Sequence, residues 1–240
     1  MSDKIYLDGT YSSSHPTWHD EDAPWKASEI YKILDDNDLT PRRIVDIGCG
    51  AGGVLASLVD SFPPPPPLAV GFDISADAIK MARSHEKPGL SFRCGDFLES
   101  NESDFDLSLC VDVFEHVDDY LGFLRKLRLR ARMHVFHIPL DMYVSGLLRR
   151  GHLGMRREYG HIHYFDRFTA IETLKYTNYR IVDARYTHIA EDLLDVHPER
   201  KNLRRMIGNA GRRCLRSLLN EDWSNQILGG SSLLVLAAQN

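Results

Sequence analysis

Short apolar runs alternate with amphipathic stretches along most of this chain. The runs predict strands at residues 43–47, 68–73, 90–94, 106–111, 133–138, 179–186 and 233–238. The stretches between them predict helices at residues 53–62, 76–84, 118–129 and 168–176. A further helix is predicted before the first strand, within residues 23–39, with Ile30, Ile33 and Leu34 facing the core. Strands that alternate with helices indicate βαβ units and a mostly parallel sheet.

The length of the chain favours one domain. Its 240 residues are 43% hydrophobic, which suits one α/β domain with a buried sheet. We predict a single domain over residues 1–240, with an N-terminal cap at 1–40, a lid insertion at about 140–166 and a helical insertion at about 188–230. The opening residues MSDKIYLDGT lack the regions of a signal peptide, and no stretch is apolar enough to span a bilayer. These features predict a cytoplasmic protein without a transmembrane segment.

Charge is distributed unevenly between the two halves of the chain. Residues 1–120 contain 9 Lys and Arg against 23 Asp and Glu, whereas residues 121–240 contain 20 against 11. We therefore expect the halves to face ligands of opposite charge. The four cysteines are interpreted as buried small residues, because no Cys-x-x-Cys pair indicates a metal site or a disulfide framework. They are Cys49, Cys94, Cys110 and Cys214.

A glycine-rich turn follows the first predicted strand, in the sequence RIVDIGCGAGGVLASL. Gly48, Gly50 and Gly53 fit the G-x-G-x-x-G pattern of dinucleotide-binding proteins, and Gly48, Gly50 and Gly52 fit a tighter G-x-G-x-G turn. In both patterns, residues without Cβ allow the backbone to turn sharply and approach a ligand at a helix N-terminus. The glycines alone therefore leave the cofactor undecided.

Acidic residues lie at the ends of the predicted strands. Asp46 lies two residues before the first glycine, and Asp73 ends the second strand. Asp96 follows the third strand, and Asp112 and Glu115 follow the fourth. The carboxyl ends of parallel strands form the ligand-binding edge of an open sheet. A ring of carboxylates there would repel a pyrophosphate but would suit a cofactor with an ammonium and a sulfonium, as in S-adenosylmethionine.

Four motifs extend this pattern: VDIGCGAGG, VGFDIS, FRCGDF and FDLSLCVDVFEHV. In this order and spacing they resemble the motifs of class I S-adenosylmethionine-dependent methyltransferases, especially the group that includes ubiquinone-pathway methyltransferases. The resemblance covers residues 40–140 strongly and the last two strands weakly. It implies a Rossmann-like, seven-stranded, mostly parallel sheet with helices on both faces and an antiparallel last strand. It also implies an enzyme with S-adenosylmethionine as cofactor.

The resemblance assigns roles to residues of these motifs. Asp46 and the glycines hold the methionine end of the cofactor, Asp73 holds the ribose, and Asp96 and Phe97 hold the adenine. In the stretch TWHDEDAPWKA, Trp18 and Trp25 either cap the cofactor or anchor the leading helix, with Lys26 facing the cofactor carboxylate in the first case. The predicted cofactor-binding residues are Trp25, Lys26, Asp46, Gly48, Cys49, Gly50, Asp73, Ile74, Asp96, Phe97, Val111, Asp112 and Val113.

Three histidines are candidate catalytic residues. Methyl transfer from a sulfonium mainly requires alignment and exclusion of water, and a hydroxyl acceptor also benefits from a general base. His116 follows the fourth strand, and alternation in HIHYF predicts His161 and His163 on one face of an extended stretch within the lid. A structural, hydrogen-bonded histidine is the alternative at each position.

A metal site is an alternative at the same place. Asp112, Glu115 and His116, with His161 or His163, resemble the acid-x-x-Glu-His metal site of ubiquinone-pathway O-methyltransferases and of small-RNA 3′-terminal ribose methyltransferases. Such ligands suit a divalent cation that orients two acceptor oxygens. Here Asp replaces the usual first Glu, and a Glu-His pair also occurs in relatives without metal. A divalent metal therefore stays a possible second cofactor, and no residue is assigned as a metal ligand.

The acceptor is predicted from the basic half of the chain. Residues 200–216 contain seven basic residues and no acid, and helical spacing predicts Leu203, Ile207 and Leu215 facing inward. With Arg149, Arg150, Arg156 and Arg157 in the lid, they indicate an anionic acceptor: a phosphorylated or carboxylated glycan, a lipid-linked precursor or RNA; a solvated charge run is the alternative. The leading prediction for the methylated atom is an oxygen of a small molecule or glycan, with nitrogen as the less favoured alternative. Nucleic acid is not favoured, because aromatic residues do not interleave the arginines. A nicotinamide-dependent oxidoreductase and a non-catalytic cofactor-binding regulator are the alternatives of other classes. The sequence does not indicate an oligomeric state.

Overall fold

The computed structural model describes residues 15, 17, 18, 20–188 and 203–240, with the backbone alone for residues 203–205. Its helices are α1 (Ala23–Asp35), α2 (Gly53–Asp60), α3 (Ala76–Ala82), α4 (Tyr120–Leu127), α5 (Val144–Leu148), α6 (Gly151–Glu158), α7 (Arg167–Tyr176), α8 (Leu203–Leu218) and α9 (Glu221–Leu228). Its strands are β1 (Arg43–Ile47), β2 (Leu68–Asp73), β3 (Leu90–Cys94), β4 (Phe105–Val111), β5 (Ala131–Pro139), β6 (Tyr179–Thr187) and β7 (Ser232–Gln239). The one-turn 3-10 helices are Asp20–Asp22, Arg83–His85, Phe97–Glu99 and Phe114–His116.

The strands form one seven-stranded sheet in the order β3-β2-β1-β4-β5-β7-β6. Its first five strands are parallel, and β7 runs antiparallel to both β5 and β6. The predicted fold class, with its antiparallel last strand, is confirmed. Strand order reverses direction between β1 and β4, which is where open α/β sheets bind their ligands.

Local sequence explains where several helices begin. Ser75 precedes α3 and its side chain accepts a hydrogen bond from the Ala78 amide, as an N-cap does. Asp119 caps α4 through the Gly122 amide, and Asp166 caps α7 with Thr169 in a capping box. These side chains satisfy amides that have no partner within the helix. The predicted helices are confirmed, with ends that differ by a few residues.

Apolar side chains are buried on both faces of the sheet. Ile44 belongs to a cluster beneath α1 and α2, and the next residue, Val45, belongs to a cluster on the opposite face beneath α4 and α7. The predicted inward residues of α1, Ile30, Ile33 and Leu34, are fully buried. Since successive strand residues point to opposite faces, a strand covered on both sides must be apolar throughout, as β1 almost is.

Helix α8 differs from its prediction. Ile207 was expected to face inward but is 64% exposed, while Asn209 is buried. The reason is that α8 turns a polar face, carrying Asn209 and Arg212, toward the protein, and leaves apolar side chains in solvent. The side chain of Leu203 and the whole of residues 189–202 lie outside the described residues.

The structure also bears on the predicted burial of the cysteines and on membrane-spanning helices. Cys49 and Cys110 are buried as predicted, but Cys94 and Cys214 are exposed, since they lie at the end of β3 and on the outer surface of α8. None of the described helices combines the length and the apolarity needed to cross a bilayer.

Candidate active site

A cavity of about 1350 Å³ opens at the carboxyl ends of β1, β2, β4 and β5. Two of the three candidate catalytic histidines, His116 and His161, line it. All the predicted cofactor-binding residues except Trp25 also line it: Lys26, Asp46, Gly48, Cys49, Gly50, Asp73, Ile74, Asp96, Phe97, Val111, Asp112 and Val113. The fold therefore gathers residues that are far apart in the sequence into one site.

The glycine turn between β1 and α2 shapes one wall of the cavity. Gly48 has a φ of 71°, and a Cβ there would lie 2.6 Å from Cγ2 of Val113. The Gly50 amide donates to Oδ2 of Asp73 at 2.9 Å, and the Ser75 amide donates to Oδ1 at 2.8 Å. Asp73 therefore fixes the turn while its carboxylate lines the cavity.

Asp46 is a buried carboxyl group at the base of the cavity. The residue is 1% exposed, and its Oδ1 atom has no hydrogen-bond partner among the described residues. Burial raises the pKa of Asp46 to about 8, and the Asp73 carboxylate adds to the shift. A cationic group in the cavity would supply the partner that this oxygen lacks.

Lys26 and Asp112 form an ion pair on the same wall. The Lys26 ammonium lies 2.7 Å from Oδ2 of Asp112, and Nδ1 of His137 donates to Oδ1 at 2.6 Å. Burial alone would raise the pKa of Asp112, but Lys26 and His137 outweigh it and hold this pKa below its ordinary value. Burial likewise acts to lower the pKa of Lys26, and Asp112 reverses this and raises it. The ammonium predicted to face a cofactor carboxylate is therefore paired with the protein's own carboxylate.

Trp25 lies behind this pair. Its ring meets the ring of His137 edge to face, with centroids 6.3 Å apart. The side chain thus packs on the protein instead of reaching the cavity, which corrects the prediction for Trp25. Trp18 does line the cavity beside the glycine turn.

Asp96 and Phe97 lie where β3 ends. Oδ1 of Asp96 accepts a hydrogen bond from the Leu98 amide at 2.8 Å, and the residue is exposed at the cavity rim. Phe97 is 1% exposed and packs between the rings of Phe72 and Phe105. The adenine roles of these residues stay predictions.

His161 is held by a carboxylate. Its Nδ1 lies 2.5 Å from Oδ2 of Asp141, and since a carboxylate only accepts, Nδ1 carries the proton. This tautomer leaves Nε2 as the nitrogen able to accept a proton. The ring of His116 lies edge to face with that of His161, at 4.9 Å between centroids. Burial and His161 lower the pKa of His116 to about 4, so its ring is neutral near pH 7.

His163 faces away from these two histidines. Its Nε2 donates to the Val117 carbonyl at 2.9 Å, and its ring packs on Tyr120. The amides of Ile162 and His163 both donate to the Glu115 carbonyl at 3.0 Å. Two successive amides can reach one oxygen only where the chain turns, so the predicted extended stretch with both histidines on one face is wrong.

The lid is fastened at its base. The Met142 amide donates to the Phe165 carbonyl at 3.0 Å, close to the contacts of residues 162 and 163 with Glu115. Between these fastenings, α5 and α6 cover the cavity, and Tyr143, Arg149 and Tyr159 line it. The segment predicted as a lid therefore leaves the sheet and returns to it at one place.

Glu115 is buried behind His116. It is 1% exposed, and neither carboxylate oxygen has a hydrogen-bond partner in the described structure. Burial and the Asp112 carboxylate raise its pKa well above the ordinary value. Ligand atoms of Glu115, His116 and His161 lie within 4.8 Å of one another. Asp112, the first ligand of the predicted metal alternative, does not belong to this group, because Lys26 and His137 hold it.

Sequence reasoning missed Asp141, Arg212 and His137. Asp141 could have been found, because it follows the predicted strand 133–138 as Asp96 and Asp112 follow theirs. Arg212 lay within a basic run that gave no means to tell which arginine lines the cavity. His137 lies inside a strand, where its contact with Asp112 depends on tertiary packing.

Comparisons with known proteins agree with this architecture. A family profile described as "Methyltransferase domain" matches residues 18–184. Norajmaline N-methyltransferase of Rauvolfia serpentina is 32% identical over 109 residues, which are 42% of this chain and 36% of the relative. Ubiquinone biosynthesis O-methyltransferase of Glaesserella parasuis serovar 5 is 26% identical over 167 residues, which are 56% of this chain and 69% of the relative. The chain thus spans about a third to two thirds of the length of these curated relatives.

Solved structures give the same fold. The crystal structure of magnesium protoporphyrin IX methyltransferase from Synechocystis PCC 6803, with bound S-adenosylhomocysteine, aligns with a TM-score of 0.58 at 14% identity. The alignment covers 90% of this chain and 83% of that one. The family match extends over well more than half of the chain and includes the glycine turn and the acids around the cavity. The chain belongs to the class I S-adenosylmethionine-dependent methyltransferases.

Proposed function

We propose that this chain transfers the methyl group of S-adenosylmethionine to an oxygen of a small-molecule or glycan acceptor. Asp46 carries the cofactor part of the proposal. A buried carboxyl group with an unpartnered oxygen favours a ligand that brings a positive charge, and the ammonium of the cofactor supplies it. The neighbouring acids Asp73 and Asp112 would repel the pyrophosphate of a dinucleotide.

The choice of oxygen rests on His161 and Asp141. The relatives include both an O- and an N-methyltransferase by name, so they leave the acceptor atom open. A hydroxyl loses its proton as it is methylated, and a histidine oriented by a carboxylate is suited to take it. Asp141 favours the imidazolium that results.

In the proposed reaction, the methyl group is transferred in a single in-line displacement. The acceptor oxygen attacks the methyl carbon in line with the sulfonium, the C–O bond forms, and the C–S bond breaks with its electron pair going to sulfur. The hydroxyl proton passes to Nε2 of His161, and S-adenosylhomocysteine leaves as a neutral thioether. His116 lines the cavity beside His161, and its lowered pKa keeps it from competing for this proton.

The proposal is tested by calorimetric titration with S-adenosylhomocysteine and, separately, with NAD. We expect binding of S-adenosylhomocysteine and none of NAD. Asp46→Asn should weaken the binding of S-adenosylhomocysteine by about tenfold or more, because an amide replaces the carboxylate that faces the ammonium. Glu172→Gln is the matched control, since Glu172 is an exposed acid on α7 paired with Lys175. Binding of NAD would favour an oxidoreductase, and cofactor binding without turnover of any acceptor would favour a non-catalytic regulator.

A second candidate is metal-assisted O-methylation. One observation favours it: the carboxylate of Glu115, which has no hydrogen-bond partner among the described residues, lies with ring nitrogens of His116 and His161 within 4.8 Å. One carboxylate and two imidazoles form a donor set that fits a divalent cation. A cation held by these three residues would polarise an acceptor oxygen and lower its pKa.

Chelation separates the two candidates. With His161 as base, we expect turnover to survive exhaustive treatment with EDTA and to gain nothing from added Mg²⁺, Mn²⁺ or Zn²⁺. Loss of turnover in EDTA, restored by one of these ions in the wild type but not in Glu115→Gln, would favour the metal-assisted reaction instead. Glu99→Gln serves as the control, because Glu99 is an exposed acid outside the cavity.

A further inference from the structure

The guanidinium of Arg212 is held in a fixed position beside the cavity. Its Nε donates to the Gly229 carbonyl at 3.1 Å, and its Nη1 donates to Oδ1 of Asn209 at 2.9 Å. Gly230 has a φ of 91°, and a Cβ there would lie 2.7 Å from Nε and 3.2 Å from Nη2 of Arg212. Gly229 makes room in the same way for the ring of Tyr143. The two glycines therefore allow an arginine and a tyrosine to lie side by side.

This position of Arg212 lies at the proposed acceptor end of the site. Ser232, two residues after Gly230, pairs with Pro139 at the end of β5, and β5 leads directly to Asp141. Asp141 holds His161, the proposed base. Arg212 is thus separated from the glycine turn of the cofactor by the width of β4 and β5.

Within the described structure, no carboxylate lies within ion-pair distance of the Arg212 guanidinium. Its Nη2 donates to no described group, although the side chain lines the cavity. Of the other two basic residues that line the cavity, Lys26 is paired with Asp112, and Arg149 donates from Nε and Nη2 to Ser145. Among the described residues, Arg149 and Arg212 therefore line the cavity with guanidinium groups that form no ion pair, and Arg212 is the more buried of the two.

We propose that Arg212 binds a carboxylate or phosphate group of the methyl acceptor. This inference rests on the proposed function and names the chemical class of its substrate. A guanidinium held by two hydrogen bonds through Nε and Nη1 keeps its remaining N–H groups in a fixed plane, and such a fork matches the two oxygens of an oxyanion. The acceptor is then oriented at one end by Arg212 and at the other by His161.

The test is calorimetric titration of the complex with S-adenosylhomocysteine, using citrate in one arm and inorganic phosphate in the other. The tighter-binding anion distinguishes a carboxylate from a phosphate acceptor. Arg212→Gln should weaken the binding of that anion by about tenfold to a hundredfold, as expected for loss of charge-assisted hydrogen bonds. Arg213→Gln should leave its affinity unchanged, because Arg213 is an exposed neighbour on α8 that does not line the cavity.

Two outcomes would overturn the inference. In the first, wild type and Arg212→Gln bind both anions equally weakly. In the second, Arg212→Gln weakens the binding of S-adenosylhomocysteine by the same factor as the binding of the anion. This would mean that the guanidinium holds the cofactor carboxylate. Arg212→Lys, which keeps the charge without the fork, should show an intermediate loss and provides a variant if Arg212→Gln fails to fold. If wild type does not bind S-adenosylhomocysteine, the proposed function fails, and anion titration of the ligand-free protein still tests Arg212.

Discussion

Asp141 and His161, twenty residues apart, are joined by a hydrogen bond of 2.5 Å between Oδ2 and Nδ1. Asp141 follows the end of β5, and His161 follows α6, so the bond connects the edge of the sheet to the segment that carries α5 and α6. It fixes the proton on Nδ1 and leaves the opposite nitrogen for the acceptor. Asp141 is therefore a positioning residue, and His161 is the candidate base.

Asp141→Asn should lower kcat by about a hundredfold, because an amide in place of the carboxylate favours the wrong tautomer and does not stabilise the imidazolium. KM and the affinity for S-adenosylhomocysteine should change little, since the glycine turn proposed to bind the cofactor lies on the other side of the cavity. Steady-state kinetics with any active acceptor checks this. Asp141→Glu should restore part of kcat, and Asp119→Asn, at an exposed helix N-cap outside the cavity, should leave kcat intact. A proportional loss of cofactor affinity in Asp141→Asn would show that the bond is merely structural.

Cofactor binding should release a proton from Asp46. Its pKa of about 8 means that the carboxyl group is protonated at pH 7 in the ligand-free protein, and a nearby ammonium favours the ionised form. Affinity for S-adenosylhomocysteine should therefore rise with pH from about 4 to about 8. Calorimetry at pH 7 in buffers of different ionisation enthalpy measures the released proton, which Asp46→Asn should abolish.

The same group affects the stability of the ligand-free protein. Because the folded pKa of Asp46 is raised, its contribution is fully present below the unfolded value of about 4 and is lost as pH rises through 8. Thermal melts of wild type should thus decline over this range more steeply than melts of Asp46→Asn. Parallel curves for the two proteins would contradict the burial of an unpartnered carboxyl group.

Lys26→Gln should destabilise the fold by about 3 kcal/mol, because it leaves the Asp112 carboxylate without its ammonium partner in a largely buried place. Lys32→Gln, on the exposed side of α1, should cost about 0.5 kcal/mol or less. Urea denaturation of both variants provides the comparison. Since the pKa of Asp112 is lowered in the folded protein, this stabilisation is present above the unfolded pKa of about 4 and is lost as pH falls below it. The difference between wild type and Lys26→Gln should shrink accordingly in acid.

Gly52→Ala should cost about 3 kcal/mol of stability. Gly52 has a φ of 87°, and a Cβ there would lie 2.7 Å from the Phe92 ring and 2.9 Å from Cβ of Ala82, so backbone strain and overpacking add. Gly154→Ala is the matched control, because Gly154 lies within α6 with nothing inside 4 Å of its Cβ position. That change should stabilise the protein by up to about 1 kcal/mol. Equal melting temperatures for the two variants would contradict the tight packing of the glycine turn.

The fold could be predicted from local patterns to a large extent. A strand such as β1 is an apolar run that ends in a glycine turn, and α3 begins at a serine that caps it, so neither depends on distant residues. The acids at strand ends were predicted for the same reason, because the parallel sheet itself gathers them. Asp141 follows that rule and was overlooked.

Other parts of the site depend on tertiary contacts that the sequence does not encode locally. Alternation predicted His163 and His161 on one face. The amides of Ile162 and His163 instead both donate to the Glu115 carbonyl, so the chain bends at this point. Lys26 was expected to face a ligand, but Asp112 lies 86 residues away in the sequence and pairs with it. Arg212 lines the cavity and Arg213 and Arg216 do not, because its guanidinium packs against Gly230 and bonds to the Gly229 carbonyl, which are contacts between distant residues.

The fastened base of the lid has a consequence for turnover. Met142 is tied to Phe165, and residues 162 and 163 are tied to Glu115, so these fastenings would stay in place if the part between them, which carries α5 and α6, swung aside to exchange the acceptor. Asp141 and His161 lie at the hinge of this flap and not at its tip. In the proposed reaction, such a movement would leave Asp141 and His161 aligned for each new acceptor.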